Sequence, residues 1–277
     1  MRAVFALLIV AAASFAAWPV RAAGSAETVE IPRDNLKLKA VLYRPDGAGP
    51  FPVVIGLHNC TGLHNKSGEI GVRYRDWGQR LAKEGFAVLF PDSNGSRGLG
   101  RQCGAPSRRS VRVDRERVAD AMAARQWLQQ QPWVVADRVS LMGWSSGGIT
   151  ALWTVRAARP VEGTDFRSAV AFYPGCRRLA NAAWSARVPT LILIGRADDQ
   201  ASAAACQQMV AGARGRSARV AIQVYPGAYH DFDHPNRPLQ MRSDLPFTTD
   251  GSGSAHSGTH PQARTDAIKR VPDWFRQ

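Results

Sequence analysis

Apolar and polar positions alternate along residues 28–32 and 36–43, the period of half-buried strands, with a turn at Arg33-Asp34-Asn35. Continuous apolar runs at 51–57 and 86–90 predict strands covered on both faces. Between them, residues 74–84 place Trp77 and Leu81 at helical spacing and stop at Gly85. A longer helix is predicted over 113–131, closed by Pro132. Further strands are predicted at 138–142, 168–173, 189–195 and 220–225, and a final helix at 266–275. Strands alternating with helices predict an α/β fold: a mostly parallel central sheet, right-handed crossovers and helices on both faces. No internal repeat or second domain emerges. Two long loops interrupt the pattern. Residues 93–112 are Gly-rich and basic, with Arg97, Arg101, Arg108, Arg109 and Arg112, and residues 233–263 hold Gly251-Ser252-Gly253-Ser254. Loops this long in a compact domain are commonly functional or disordered.

Composition changes the picture mainly at the amino terminus. The 277 residues, 45% of them hydrophobic, suit one domain with a sizeable core. Arg2, an almost wholly apolar run over 3–17, and Val20-Arg21-Ala22-Ala23 read as a secretory signal peptide, residues 1–22, with cleavage after Ala22 or, as the next choice, Ala23. The run is short for a transmembrane helix, so a retained anchor is the lesser alternative. The remaining chain, 23–277, is expected to be one domain, periplasmic or secreted, with no stable membrane span. The formal charge is +14, and losing Arg2 and Arg21 leaves +12. That balance favours anionic partners such as acidic substrates or the cell envelope. With no nucleic-acid motif and no basic helix, a nucleic-acid partner is not expected. Four cysteines, Cys60, Cys103, Cys176 and Cys206, fall in the exported part, where an oxidising compartment lets disulfides persist. Three pairings, or four free thiols, are open.

Gly143-Trp144-Ser145-Ser146-Gly147 fits G-x-S-x-G between a predicted strand and an apolar helical run from Gly148, the setting of a nucleophile elbow. The alternative is a Gly/Ser turn that only packs tightly. An acid and then a histidine should follow in chain order, each beyond a later strand. Asp198 follows the strand at 189–195, and His230 follows the strand at 220–225. A serine hydroxyl needs a base to take its proton, and the acid fixes the base's tautomer. Asp198 is therefore the candidate acid, with Asp199 as a helix cap or supporting group, and His230 the candidate base. The His230/His234 and His256/His260 pairs have zinc-like spacing but sit among Pro and Gly rather than on a helix, so no metal is expected.

These segments resemble the dienelactone hydrolase family of α/β-hydrolases. The matching stretches are Val54-Ile55-Gly56-Leu57-His58-Asn59-Cys60, Arg75-Asp76-Trp77, Pro91-Asp92-Ser93, the elbow, Tyr173-Pro174-Gly175-Cys176, Gly195-Arg196-Ala197-Asp198 and Tyr225-Pro226-Gly227-Ala228-Tyr229-His230-Asp231-Phe232. The resemblance covers the chain from about residue 28 to its end. It implies the α/β-hydrolase fold, supports Asp198 as the acid and His230 as the base, and implies an oxyanion hole from the backbone N–H of Ser146 and that of Cys60, with Asn59 as the alternative. Two departures stand out: Ser145 replaces the family's cysteine nucleophile, and Asn59 stands where a glutamate is usual. In this fold the third and fourth strands are neighbours, as are the sixth and seventh, which favours the disulfides Cys60–Cys103 and Cys176–Cys206.

The expectation is an exported serine hydrolase cleaving carboxylic ester or lactone bonds without a cofactor. Its partner would be a small-molecule ester or lactone, an anionic group on it being a further expectation. Asn59, Arg97 and Trp144 are candidate substrate contacts, with Arg101 able to serve in place of Arg97; a solvated basic surface is the plainer reading of either arginine. The alternatives are a peptidase or acyltransferase with the same triad, and a non-catalytic binding protein on the same fold.

Overall fold

The computed structural model describes residues 25–104, 109–159 and 161–277. The expected signal segment and Arg108 lie outside the described residues. In chain order the elements are β1 (Ala26–Arg33), β2 (Leu36–Tyr43), β3 (Phe51–Leu57), α1 (Val72–Lys83), β4 (Ala87–Pro91), α2 (Glu116–Gln129), β5 (Val134–Trp144), α3 (Ser146–Thr154), β6 (Ala169–Phe172), α4 (Arg177–Asn181), β7 (Thr190–Gly195), α5 (Ala203–Gly212), β8 (Val220–Tyr225), β9 (Gln240–Arg242), β10 (Ala255–Ser257) and α6 (Pro261–Arg276).

Eight strands form one sheet in the order β1-β2-β4-β3-β5-β6-β7-β8. β1 pairs antiparallel with β2, and β2 antiparallel with β4; every later pairing is parallel. Burial follows position in that order. β4, β6 and β7 are buried along their whole length, as their unbroken apolar runs require, while the edge strands β1 and β8 are largely half-exposed. The step from β3 to β4 runs toward β1, and the steps from β4 onward run the other way. Right-handed crossovers then place α1 on one face and α2, α3 and α5 on the other. The reversal leaves the carboxyl ends of β3 and β5 side by side, which is where open α/β sheets form their crevices.

The sequence reading differs from the structure mainly at element ends. α2 begins at Glu116, whose carboxylate accepts from Arg112 N–H at 2.8 Å, so Val113 precedes the helix rather than opening it. α6 begins a turn earlier than periodicity suggests, because His260 caps it by accepting Ala263 N–H and Pro261 occupies the first turn. The loop 233–263 contains the short antiparallel ribbon of β9 and β10, too brief for a period to declare itself.

Both disulfides are present as the fold expectation paired them, Cys60 with Cys103 and Cys176 with Cys206. The second ties the start of α4 to α5 across 30 residues of chain. No helix among the described residues is long and apolar enough to cross a membrane. Replacing Cys176 and Cys206 together by Ala is expected to destabilise the fold by about 3–4 kcal/mol from lost loop restriction. Denaturant unfolding measures the loss, and peptide mapping without reductant should recover only the Cys60–Cys103 cross-link.

Candidate active site

The elbow is built by sterics. Ser145 sits at φ 52°, ψ −115°, a conformation that costs a non-glycine residue about 1–3 kcal/mol and persists only where its surroundings enforce it. Its N–H donates to Phe172 O on β6 at 3.0 Å, and its carbonyl accepts Ile149 N–H at 2.9 Å inside α3. A Cβ on Gly143 would lie 2.3 Å from Gly147 O, and one on Gly147 would lie 2.0 Å from Leu57 O. Both glycines are therefore demanded by close approach of backbone to backbone.

Asp198 follows β7 and His230 follows β8. His230 Nδ1 and Asp198 Oδ2 are 2.8 Å apart, and both side chains are buried. The other carboxylate oxygen, Oδ1, accepts Gln200 N–H at 3.0 Å and Ala201 N–H at 2.7 Å, so Asp198 is fixed from both sides. With Nδ1 donating to Asp198, the ring presents Nε2 elsewhere. Gly258 N–H holds the His230 carbonyl at 2.9 Å, and the Tyr173 ring packs 4.4 Å from the imidazole. Burial pushes the His230 pKa down, but the charge and hydrogen bond of Asp198, aided by Asp231, outweigh it and leave the pKa above the ordinary 6.5. Asp199 is not the cap of α5; that is Ser202, which accepts Ala205 N–H. Asp199 instead binds His256, Oδ2 to Nδ1 at 2.7 Å and Oδ1 to the backbone N–H at 2.8 Å, and its carbonyl accepts Thr249 N–H at 2.7 Å. It thereby anchors the strap that carries residues 245–249.

Ser145 and His230 line one cavity of about 240 Å³, together with Asn59, Cys60 and Ser146. No hydrogen bond joins Ser145 to the imidazole among the described residues; such contacts commonly close only when a substrate is bound. Two backbone amides remain open here. Ser146 is the first residue of α3, so its N–H has no partner in the helical ladder. Cys60 N–H has no acceptor among the described residues, whereas Asn59 N–H is held by Tyr74 Oη at 2.9 Å. That occupancy favours Cys60 over Asn59 as the second open amide. The Asn59 side chain folds back to accept Thr61 N–H and Oγ1–H, although the residue still lines the cavity.

Arg97 and Trp144 are corrections. Arg97 does not line the cavity; both of its terminal nitrogens bind Asp120 at 2.9 Å, and one also donates to Ser93 O. Trp144 is fully buried, stacked on Phe172, with its indole N–H on Asp233, because alternation along β5 points it away from the elbow's open side. The cavity's cations are instead Arg101, Arg109, Arg177, Arg178 and Arg242. Arg178 pairs with Asp114, but Arg101 and Arg242 have no ion pair among the described residues. Burial pulls the Arg242 pKa down; Asp231 opposes that shift and the neighbouring Arg101 adds to it. The cavity lining also includes apolar residues, Ile149, Trp153, Leu245 and Phe247, and the acid Asp231.

Sequence reasoning overlooked a buried polar cluster that reaches the cavity wall at Asp231 and Tyr173. Asp231, at φ 64°, binds Arg73 at 2.5 Å and also Arg237. Burial opposes its ionisation, yet Arg73, His230 and Arg237 hold its carboxyl far below the usual range. Asp233 accepts the indole N–H of Trp77 at 2.8 Å, that of Trp144 at 2.7 Å and the hydroxyl of Tyr173 at 2.5 Å. The signal was present in Asp231-Phe232-Asp233, two acids flanking an apolar residue directly after the histidine.

Comparison with known proteins gives a consistent result. The family model described as "Dienelactone hydrolase family" matches residues 38–277. A Yersinia pestis protein named "Putative carboxymethylenebutenolidase" is 25% identical over 262 residues, covering 89% of this chain and 86% of the relative. The crystal structure titled "Putative Dienelactone Hydrolase" from Klebsiella pneumoniae superposes with TM-score 0.69 at 23% identity, over 91% of this chain and 98% of that one. A dienelactone hydrolase from Anabaena variabilis superposes with TM-score 0.62 at 20% identity, over 91% and 97%. At these identities the solved structures show the shared fold.

The raised His230 pKa means that the fold favours its protonated form. The stability this contributes is full below the unfolded-state value and is lost as pH rises through the folded one. An NMR titration of the His230 ring should give a midpoint above 6.5. In Asp198→Asn the midpoint should move down, because burial and Arg73 then act with less opposition.

Proposed function

Because the chain belongs to the dienelactone hydrolase family, we propose that it hydrolyses carboxylic esters or lactones through an acyl-enzyme formed on Ser145. The observation that carries this reading is the buried His230–Asp198 pair, 2.8 Å apart, on the cavity that Ser145 also lines. Ser145 Oγ attacks the substrate carbonyl while His230 Nε2 takes its proton and Asp198 stabilises the imidazolium. The carbonyl oxygen becomes an oxyanion held by the amides of Ser146 and Cys60; one such donor contributes about 3–4 kcal/mol to transition-state stabilisation. The tetrahedral intermediate collapses, His230 protonates the leaving alkoxide, and the acyl group stays on Ser145. Water, deprotonated by His230, then releases the carboxylic acid and restores the hydroxyl. For a lactone the alcohol and acid remain one molecule.

The substrate's character follows from the walls. Arg101 and Arg242 have no carboxylate partner among the described residues, so an anionic group on the substrate would meet them, while Ile149, Trp153, Leu245 and Phe247 take an apolar portion. A serine at position 145 and Asn59 in place of the family's usual glutamate set this chain apart from members that open dienelactones, and favour a broader esterase or lactonase. Residues 1–22 would direct export as a cleavable signal, leaving 23–277 as one domain. The two disulfides support an oxidising destination.

A fluorophosphonate probe should label the wild-type protein and leave Ser145→Ala unlabelled. Hydrolysis of p-nitrophenyl esters by that variant should fall on the order of 10⁴-fold or more. No labelling of the wild type would favour a binding protein on the same fold instead. In a paired assay, Arg242→Ala should raise KM about tenfold for a carboxylate-bearing ester and leave a neutral ester of the same size unaffected. Equal effects on both would refute the anionic preference.

A further inference from the structure

Arg117 on α2 is an unexplained charge. It is 3% exposed and has no carboxylate partner among the described residues. The acids nearest in effect, Asp120 and Asp92, are engaged elsewhere: Asp120 with Arg33 and Arg97, Asp92 with His64 and Gly95 N–H. Burial pulls the Arg117 pKa down to about 10, which still leaves the guanidinium charged at neutral pH. An unpaired buried cation is costly, and proteins rarely keep one without a use.

Its contacts indicate the use. One terminal nitrogen donates to His58 O, the carbonyl that leads into the Asn59-Cys60 turn, and the other donates to Ser146 Oγ at 3.2 Å. These belong to the two segments that supply the open amides, the end of β3 and the start of α3. No other side chain among the described residues hydrogen-bonds both segments. We propose that Arg117 is a positioning residue of the oxyanion hole: its planar guanidinium fixes the Cys60 and Ser146 amides relative to each other and places a positive charge behind them. Polarising the His58 carbonyl also draws electron density away from the peptide unit that leads to the turn. The planar fork matters, because a lysine could supply charge but not both bonds at once. The inference rests on Ser145 being the nucleophile, since without an acyl transfer there is no oxyanion to hold.

The test compares Arg117→Met and Arg117→Lys with wild type for kcat, KM and inhibition by a trifluoromethyl ketone, which becomes an oxyanion only when attacked. Arg117→Met should lower kcat about 100-fold and weaken the ketone in proportion, with KM nearly unchanged. Arg117→Lys should recover part of both losses. A folded Arg117→Met with wild-type kcat and ketone affinity overturns the proposal. So does a variant whose kcat falls only in step with its folded fraction while ketone affinity per folded molecule is unchanged. Should Arg117→Met fail to fold, Arg117→Lys decides alone: about a tenfold loss of kcat matched by ketone affinity supports the role, and no loss refutes it. Fluorophosphonate labelling separates the two levels. A labelled wild type with an unaffected Arg117→Met removes only this inference, whereas an unlabelled wild type removes the hydrolase reading and this inference with it.

Discussion

The site depends on a single buried carboxyl group. Asp233 is completely enclosed and accepts from Trp77 on α1, from Trp144 at the end of β5 and from Tyr173 just beyond β6, with Arg73 at 3.5 Å. Enclosing a carboxylate costs several kcal/mol unless its oxygens are satisfied, and hydrogen bonds to a charged group return about 1.5–3 kcal/mol each. Here three donors converge from three elements. Trp144 adjoins the serine of the elbow, Tyr173 packs against His230 at a tilt, and Asp233 itself lies three residues past that histidine. One acceptor thus sets the spacing between the two sides of the site. Burial, chiefly, raises the Tyr173 pKa far above its ordinary value, so the phenol stays a donor at any working pH.

Around this anchor the charges separate into two groups. The acids are matched: Asp231, on the cavity wall, with Arg73 and Arg237, and Asp76 with Arg264. Among the other charged residues lining the cavity arginines dominate; Arg178 pairs with Asp114, while Arg101 and Arg242 have no ion pair among the described residues. Paired charges buried in the interior act as structure, while unpaired ones at an opening act on whatever arrives there. The same division separates Arg97, which the sequence made attractive, from Arg101 only four residues later. Arg97 turns inward to Asp120; Arg101 faces the cavity.

How far the sequence could be read varied with the range of the forces involved. Elements with a clear period emerged directly: the buried strands, the helix carrying Trp77 and Leu81, and the turn at the elbow. The chain order of Ser145, Asp198 and His230 followed from strand ends, and the cysteine pairs followed from strand adjacency once the family fold was in view. What stayed hidden was tertiary. Nothing in the spacing says that Trp144 points into the core and meets an acid 89 residues away, or that Asp199 binds His256 across 57 residues rather than capping its own helix. Arg117 was equally silent, since a basic residue on an amphipathic helix ordinarily faces water. The boundaries of α2 and α6 moved because caps, not periodicity, decide where helices begin.

The approach of Gly147 to the Leu57 carbonyl has a mechanical consequence. With no room for even a methyl group between the two backbones, the elbow and the strand end carrying the turn at 58–60 form one rigid block. Covalent attachment of that turn to Cys103 stiffens it further. Breathing that admits a bulky guest therefore falls to other parts of the lining, such as residues 245–249, which are tied in through the Asp199–His256 clasp. Tolerance for differently shaped guests is thus set by a clasp whose acid, Asp199, directly follows the one that holds His230.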